Sequence, residues 1–130
     1  MNPDSRFISI ITKSKVARMP VSEIESVEQC GRKLHIYSSY GEYESYDRID
    51  NIAPMLVEMG FYRPMKSMII NFDKVIQMSD GEIIFDSGRS ICMGRNNYSG
   101  TRSAFRSYVM QYPPFAEWTP RSILAEKRNK

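Results

Sequence analysis

Residues 60–71 read GFYRPMKSMIIN, and in this stretch a helical pattern gives way to a β pattern. Before it, apolar residues recur from Ile49 at i, i+3, i+4, i+7 and i+8, which predicts an amphipathic helix. Gly60 is placed to end that helix. After it, residues 61–64 are predicted to be a short extended link and residues 68–70 a buried strand. The stretch therefore joins one central helix to a β region.

Two residues bear on where the central helix begins. Asp47 can cap its first turn, because a short acidic side chain accepts hydrogen bonds from the free N–H groups there. Pro54 falls inside the apolar pattern and removes one N–H donor. The sequence therefore leaves two alternatives, a separate first turn or a helix that begins near Ala53.

The rest of the chain is dominated by short strands. Alternating or β-branched runs predict strands over residues 6–12, 15–19, 23–28, 32–38, 42–46, 75–78, 82–85 and 90–93. The run at 23–28, EIESVE, alternates acidic with apolar residues and predicts a half-buried strand with an acidic outer face. A modest helical stripe follows over 94–111, and a short helix over 121–128. We expect a mostly β fold with minor α: antiparallel strands in small packed sheets, one central helix and a C-terminal helical extension.

Length and composition exclude several classes of protein. The chain has 130 residues, 42% of them apolar and 25% charged, which fits one globular domain and argues against a disordered tail, collagen or a disulfide scaffold. It holds no run of about 18 apolar residues and no export signal at its start. We therefore expect a cytoplasmic protein without a membrane span.

The residues that usually carry metal or acid–base chemistry are scarce. Cys30, Cys92 and the single histidine, His35, are too few for a structural zinc site, which needs about four ligands. Two reduced cysteines are favoured, and a disulfide between them remains an open alternative. No paired carboxylates, nucleophile near His35 or glycine-rich phosphate loop is present. We predict no enzyme, no catalytic residue, no metal and no cofactor.

Charge is distributed unevenly along the chain. The net charge is only +3, too weak by itself to indicate a nucleic-acid binder. Residues 1–62 hold seven basic and nine acidic residues, whereas residues 63–130 hold eleven and six. Residues 87–112 contain four arginines and no acid. That segment suits phosphate, an acidic partner or plain solvent.

The opening stretch also resembles the signature of the LytTR DNA-binding domains. In that signature a Phe and an Arg are followed by two residues, a basic or polar residue before Ser, and an apolar run that ends in Asn, as between Phe61 and Asn71 here. The family's opening strands are similar to residues 24–28 and 32–37, its next hairpin to 75–85, and its closing strand to 90–96. The resemblance is strongest over 19–99. It implies a LytTR-like domain at residues 1–111, standing alone without a receiver domain, and a C-terminal extension at 112–130.

The resemblance implies which residues contact DNA. Members of this family insert loops into successive major grooves of double-stranded DNA, and three places correspond here. The expected DNA-binding residues are Arg32, Lys33, Lys66, Ser67, Arg89, Arg95 and Asn96, with no catalytic and no metal-binding residue. The first site is the turn at 30–33, the second the signature loop, and the third a loop after the last strand, with Arg89 extending the basic surface. Arginine can pair with a guanine edge, whereas lysine and serine suit phosphates.

The signature also departs from the family pattern. The family commonly has His where Met65 stands and Arg where Lys66 stands, and Pro64 replaces a common apolar residue. Lysine cannot copy the two parallel hydrogen bonds of arginine, so base reading at this loop is expected to be altered.

Two functions of different classes follow. The first is a bacterial, response-regulator-like transcription regulator that binds double-stranded DNA at direct repeats, as a homodimer or with a membrane-bound or regulator partner. The alternative is a protein-interaction module that binds and inhibits a related regulator, with its DNA contact weakened. The acidic first half and the changes at Met65 and Lys66 favour that alternative.

Overall fold

The computed structural model describes residues 6–112. These residues divide into two compact units, with the boundary between Asn71 and Phe72. The described part holds ten strands, two α-helices and short 3-10 helices at Val21–Glu23 and Phe72–Lys74. No helix in this range is long and apolar enough to cross a membrane. The predicted helix at 121–128 and the extension beyond residue 112 lie outside the described residues. The expected mostly β, antiparallel fold class is confirmed.

The first unit consists of a hairpin, a five-stranded sheet and one helix. In chain order its elements are β1 (Phe7–Ile11), β2 (Val16–Pro20), β3 (Ile24–Cys30), β4 (Lys33–Ser38), β5 (Gly41–Tyr46), α1 (Ile49–Glu58), β6 (Tyr62–Met65) and β7 (Met68–Ile70). β1 pairs with β2, and the larger sheet has the order β5-β4-β3-β7-β6 with antiparallel neighbours throughout. β3 is therefore the central strand.

The core of the first unit joins the sheet, the hairpin and the helix. Alternate residues of β4, including Leu34 and Ile36, are fully buried, as the period of two requires. They belong to one apolar cluster with Ile8 of β1 and Leu56 of α1. This cluster provides the apolar burial that holds the hairpin and the helix to the sheet.

The predicted acidic outer face of residues 23–28 is wrong at Glu25, which is only 2% exposed. Four successive residues of β3, from Ile24 to Val27, are buried, and successive strand residues point to opposite faces. Both faces of this central strand are therefore covered, which periodicity alone did not reveal.

Both sequence alternatives for α1 are wrong, because the helix has neither a separate first turn nor a start near Ala53. It starts at Ile49 and carries Pro54 inside it, and Arg48 rather than Asp47 occupies the capping position, with no side-chain cap. Asp47 instead accepts hydrogen bonds from the Arg48 N–H and the Asn51 amide, each at 2.7 Å. The predicted end is confirmed, because Gly60 has a φ of +99°, which favours glycine.

The predicted link at residues 61–64 is wrong, because most of it forms strand β6. β6 pairs with β7 through Tyr62 with Ile70 and Met65 with Met68, with an irregularity between the two pairs. It is an edge strand, where Pro64 can lie without breaking a ladder on both sides. At the end of β7, the Asn71 side chain donates to the buried carbonyl of Ile24 at 2.9 Å.

The second unit is a three-stranded sheet followed by a long helix. Its elements are β8 (Val75–Ser79), β9 (Glu82–Phe85), β10 (Ser90–Cys92) and α2 (Arg95–Val109), with sheet order β10-β9-β8. The rings of Phe105 and Tyr108 on α2 lie 5.3 and 5.6 Å from that of Phe72. Tyr108 also donates to the Asp73 carboxylate, and burial, with this bond, raises the pKa of Tyr108. These contacts fix the inner face of α2.

Leu56→Ala is expected to lower the free energy of unfolding by about 2–5 kcal/mol, because a fully buried side chain leaves a cavity. Urea unfolding followed by circular dichroism measures this. The neighbouring Val57→Ala is the matched control, since Val57 is 49% exposed on the same helix and should change little. Equal losses in the two variants would contradict the packing described.

Candidate nucleic-acid interface

Two of the predicted DNA-contacting turns lie at the same end of the five-stranded sheet. Gly31 and Arg32 form the turn between β3 and β4, and Lys66 and Ser67 form the turn between β6 and β7. The backbone N–H of Gln29 donates to the carbonyl of Ser67 at 2.8 Å, which joins the two turns. Arg32, Lys66 and Ser67 are all exposed. The structure thus brings together the first two predicted sites on one surface.

The Gln29 side chain holds this end of the sheet in place. Its amide nitrogen lies 3.0 Å from the carbonyl oxygen of Gly31 and 3.2 Å from those of Lys33 and Asp47, so its two hydrogens are shared among three acceptors. Its amide oxygen accepts from the N–H of Ile49 at 2.7 Å. One side chain therefore fixes the β3–β4 turn, the entry to α1 and a free donor of the helix. Sequence reasoning missed Gln29, because its partners are backbone groups that no motif marks.

Arg63 of the signature supports the same end of the sheet through contacts with α1 and with the β6–β7 turn. Its guanidinium donates to the Asp50 carboxylate at 2.7 Å and to the Lys66 carbonyl at 2.6 Å. The hydrogen bond and charge of Arg63 lower the pKa of Asp50. Arg63 is therefore occupied in shaping the turn, whereas the Lys66 side chain is exposed.

An open groove of about 240 Å³ lies between these elements. It is lined by Gln29, Arg48, Ile49, Asp50, Arg63, Lys66 and Ser67. Arg48 and Lys66 add positive charge at its exposed rim, and Asp50 is paired with Arg63. Such a basic rim suits the phosphate oxygens of a polyanion. Sequence reasoning did not single out Arg48, which lies between two acidic residues, Asp47 and Asp50.

Lys33 has a different setting from Arg32, although the two are adjacent in sequence. The Lys33 ammonium lies 3.2 Å from the Glu44 carboxylate and 5.2 Å from the ring centre of Tyr46. The hydrogen bond from Lys33 to Glu44 raises the pKa of Lys33. The charge of Lys33 is thus partly offset on the sheet face, and Arg32 is the more available cation of the turn.

In the second unit, the predicted loop position of Arg95 and Asn96 is wrong. They are the first two residues of α2, and Gly94 is the capping residue, without a side-chain cap. The helix begins at once after β10 because Gly94, only two residues beyond the strand, already takes the extended capping conformation and accepts from the Tyr98 N–H at 2.9 Å. Arg95 and Asn96 are both exposed. An arginine side chain and free backbone N–H groups at one place attract an anion.

Arg89 lies at the opposite end of β10 from Arg95, so the structure does not bring these two arginines together. Its guanidinium lies 4.6 Å from the ring centre of Phe85, and its carbonyl accepts from the Phe85 N–H at 2.9 Å. Arg89 is half-buried in the turn between β9 and β10. Its side chain therefore takes part in the structure of that turn.

The described residues offer little for metal or thiol chemistry. Between residues 6 and 112 no group of three or more His, Cys, Asp or Glu side chains could hold a metal ion. Cys30 and Cys92 are exposed free thiols. His35 lies 3.6 Å from the Glu44 carboxylate, beside Lys33. Exposed basic side chains distinguish the surfaces that carry the predicted DNA-contacting residues.

Gln29→Ala is expected to lower the free energy of unfolding by about 1–3 kcal/mol, because it leaves the Ile49 N–H and three carbonyls without their partner. Gln77→Ala is the control, since Gln77 is exposed and bonds only the Ser79 hydroxyl, and it should change stability by about 0.5 kcal/mol or less. Urea titration compares the two variants. A Gln29 variant as stable as the control would refute this role.

Comparisons with known proteins were made against family models, curated proteins and solved structures. The family model described as "LytTr DNA-binding domain" matches residues 14–106, which include parts of both units. The solved structure of a LytTr DNA-binding domain from Bacillus cereus is similar, with a TM-score of 0.63 and 14% identity over 77% of this chain and 96% of that chain. At that identity the likeness shows the fold. A search of curated proteins finds no match.

Proposed function

Because this chain belongs to the LytTr DNA-binding domain family, which implies DNA binding and transcription regulation, we propose that it is a sequence-specific regulator that binds double-stranded DNA through the major groove. The observation that supports the proposal best is the pair of exposed basic turns, at Arg32 and Lys66, held at one end of a sheet by Gln29. Turns held rigidly by a sheet and a helix can enter a groove without a large ordering cost.

We assign the contacts by side-chain chemistry. Arg32 and Arg95 are exposed and would read guanine through two parallel hydrogen bonds each. Lys66 and Ser67 would bind phosphate oxygens and position the protein on the duplex. Asn96 would contact an adenine edge or a phosphate.

Lys33 and Arg89 have a smaller part in the proposal. Each already has a partner on its own unit, Glu44 for Lys33 and the Phe85 ring for Arg89. Both still add positive charge to their own units, and this charge attracts the duplex at a distance.

The proposed domain spans residues 1–111, with 112–130 as an extension. Two copies would bind at direct repeats and share the DNA contacts. Self-association, abundance or a partner protein in the cytoplasm would control the activity of the regulator. Base reading at the signature loop is proposed to be reduced, because Lys66 offers a point charge rather than a planar fork. Specificity would then depend mainly on Arg32 and Arg95.

Arg95→Ala is expected to weaken specific DNA binding by roughly 1–3 kcal/mol and to relax the sequence preference. Fluorescence anisotropy with labelled duplexes selected from genomic fragments measures both effects. Arg95→Lys is the informative second variant, because it keeps the charge but loses the paired hydrogen bonds. It should retain binding to unrelated duplexes while losing preference for the selected one.

Wild-type affinity is also expected to fall steeply as salt rises, since phosphate contacts release counterions. Arg18→Ala, which removes an exposed arginine from β2, is the control for Arg95→Ala and should leave the sequence preference unchanged. Absence of binding at low salt, or binding unaffected by Arg95→Ala together with Lys66→Ala, would contradict the proposal. The first of these results would instead favour the protein-interaction alternative.

A further inference from the structure

Helix α2 carries three arginines along one line of its surface. Arg95, Arg102 and Arg106 are spaced at i, i+7 and i+11, and a helix rotates by about 100° per residue, so all three lie within about 20° of Arg95. All three are exposed. We call this set the arginine stripe. Ser99 falls near the same line, between Arg95 and Arg102.

The stripe faces away from the packed side of the helix. Thr101, Phe105 and Tyr108 lie on another side of the helix, about 80–140° around the axis from Arg95, where Thr101 is fully buried and the two rings contact Phe72. The hydrogen bond from Tyr108 to Asp73 adds a fixed point. Because the inner face is held by these contacts, the stripe has one defined orientation on its unit.

Within residues 6–112 the charges of the stripe have no acidic partner. None of the three arginines forms an ion pair with any residue between 6 and 112. The sequence from 87 to 112 contains no acid. Arg102 and Arg106 are like charges one turn apart, and Arg95 stands at the positive end of the helix dipole. Both arrangements destabilise an isolated helix, and a polyanion along this face would reverse both effects.

We propose that Arg102 and Arg106 of the arginine stripe bind phosphates of one strand of the DNA duplex, next to the base contact assigned to Arg95. This rests on the proposed function and adds Arg102 and Arg106, which the family resemblance does not assign. Arg102 and Arg106 are about 6 Å apart along the helix axis, so each side chain can reach a different phosphate of the same strand. Ser99 and Ser103 are small, so they let the helix approach the backbone and can donate to phosphate oxygens.

Charge pattern favours a nucleic-acid backbone over an acidic protein as the occupant. A phosphate backbone is a regular row of charges, and the stripe is a rigid row of cations of the type that binds phosphate bidentately. The arginines of the stripe are also separated by serines, whereas large apolar side chains anchor protein interfaces. Arg102 and Arg106 would add affinity without reading bases.

The test replaces two arginines of the stripe that lie away from the predicted base contact. Arg102→Gln with Arg106→Gln keeps good helix formers while removing two charges. The slope of log K against log salt should become shallower by about 1.8, at about 0.9 per lost phosphate contact. Affinity at about 0.1 M salt should fall roughly tenfold or more, by the same factor for a selected and an unrelated duplex. Circular dichroism checks that the helix is intact.

A matched control distinguishes the stripe from net charge. Lys13→Gln with Arg18→Gln removes two exposed charges from the hairpin of the first unit and should leave the slope nearly unchanged. An equal change in slope for the control would overturn the proposal. So would an unchanged slope in the stripe variant, or a loss confined to the selected duplex.

The proposed function can be judged separately in the same titrations. If Arg95→Ala weakens binding while the stripe variant binds like the wild type, the stripe proposal fails and the proposed function stands. If the wild type does not bind DNA at low salt, both fail.

Discussion

The side-chain amide of Gln29 holds together the β3–β4 turn and the start of α1, and the arrangement of this end of the five-stranded sheet depends on it. A strand end, a turn between strands and the first turn of a helix each leave backbone groups without partners. Gln29 satisfies one donor and three acceptors among these groups, while its own N–H bonds to Ser67. A side chain with both donor and acceptor atoms is needed for this, and neither Glu nor Lys offers both. The exposed Arg32 and Lys66 therefore lie on turns whose backbone is held in place.

Much of the fold was predictable from the sequence, because the periodicity of the apolar residues and the positions of the turn residues agree with the observed elements. The β8–β9 hairpin has apolar runs on either side of Asp80 and Gly81, and the structure places the turn there, with both residues at positive φ. Strand β6 was missed because Pro64 favours an extended link, and only pairing with β7 makes it a strand. Glu25 was misassigned because burial of both faces of β3 is a property of the assembled unit.

The exposure of three predicted contact residues agrees with the sequence prediction, whereas the partners of the others could not be predicted. Arg32, Lys66 and Arg95 are exposed where the family resemblance suggested contacts, although Arg95 begins a helix rather than lying in a loop. Lys33 could not be distinguished from Arg32 by sequence, because its partner Glu44 lies on the neighbouring strand. Whether a basic side chain is available to a ligand depends on such cross-strand neighbours.

The two exposed thiols have a practical consequence. Cys30 ends β3 immediately before the turn that carries Arg32, and Cys92 ends β10 shortly before Arg95. Each unit therefore has a native attachment point for a spin label or a DNA-cleaving reagent beside one candidate contact. Removing either cysteine leaves the other as a single reporter, so the proposed DNA contact of each unit can be tested without introducing a foreign side chain.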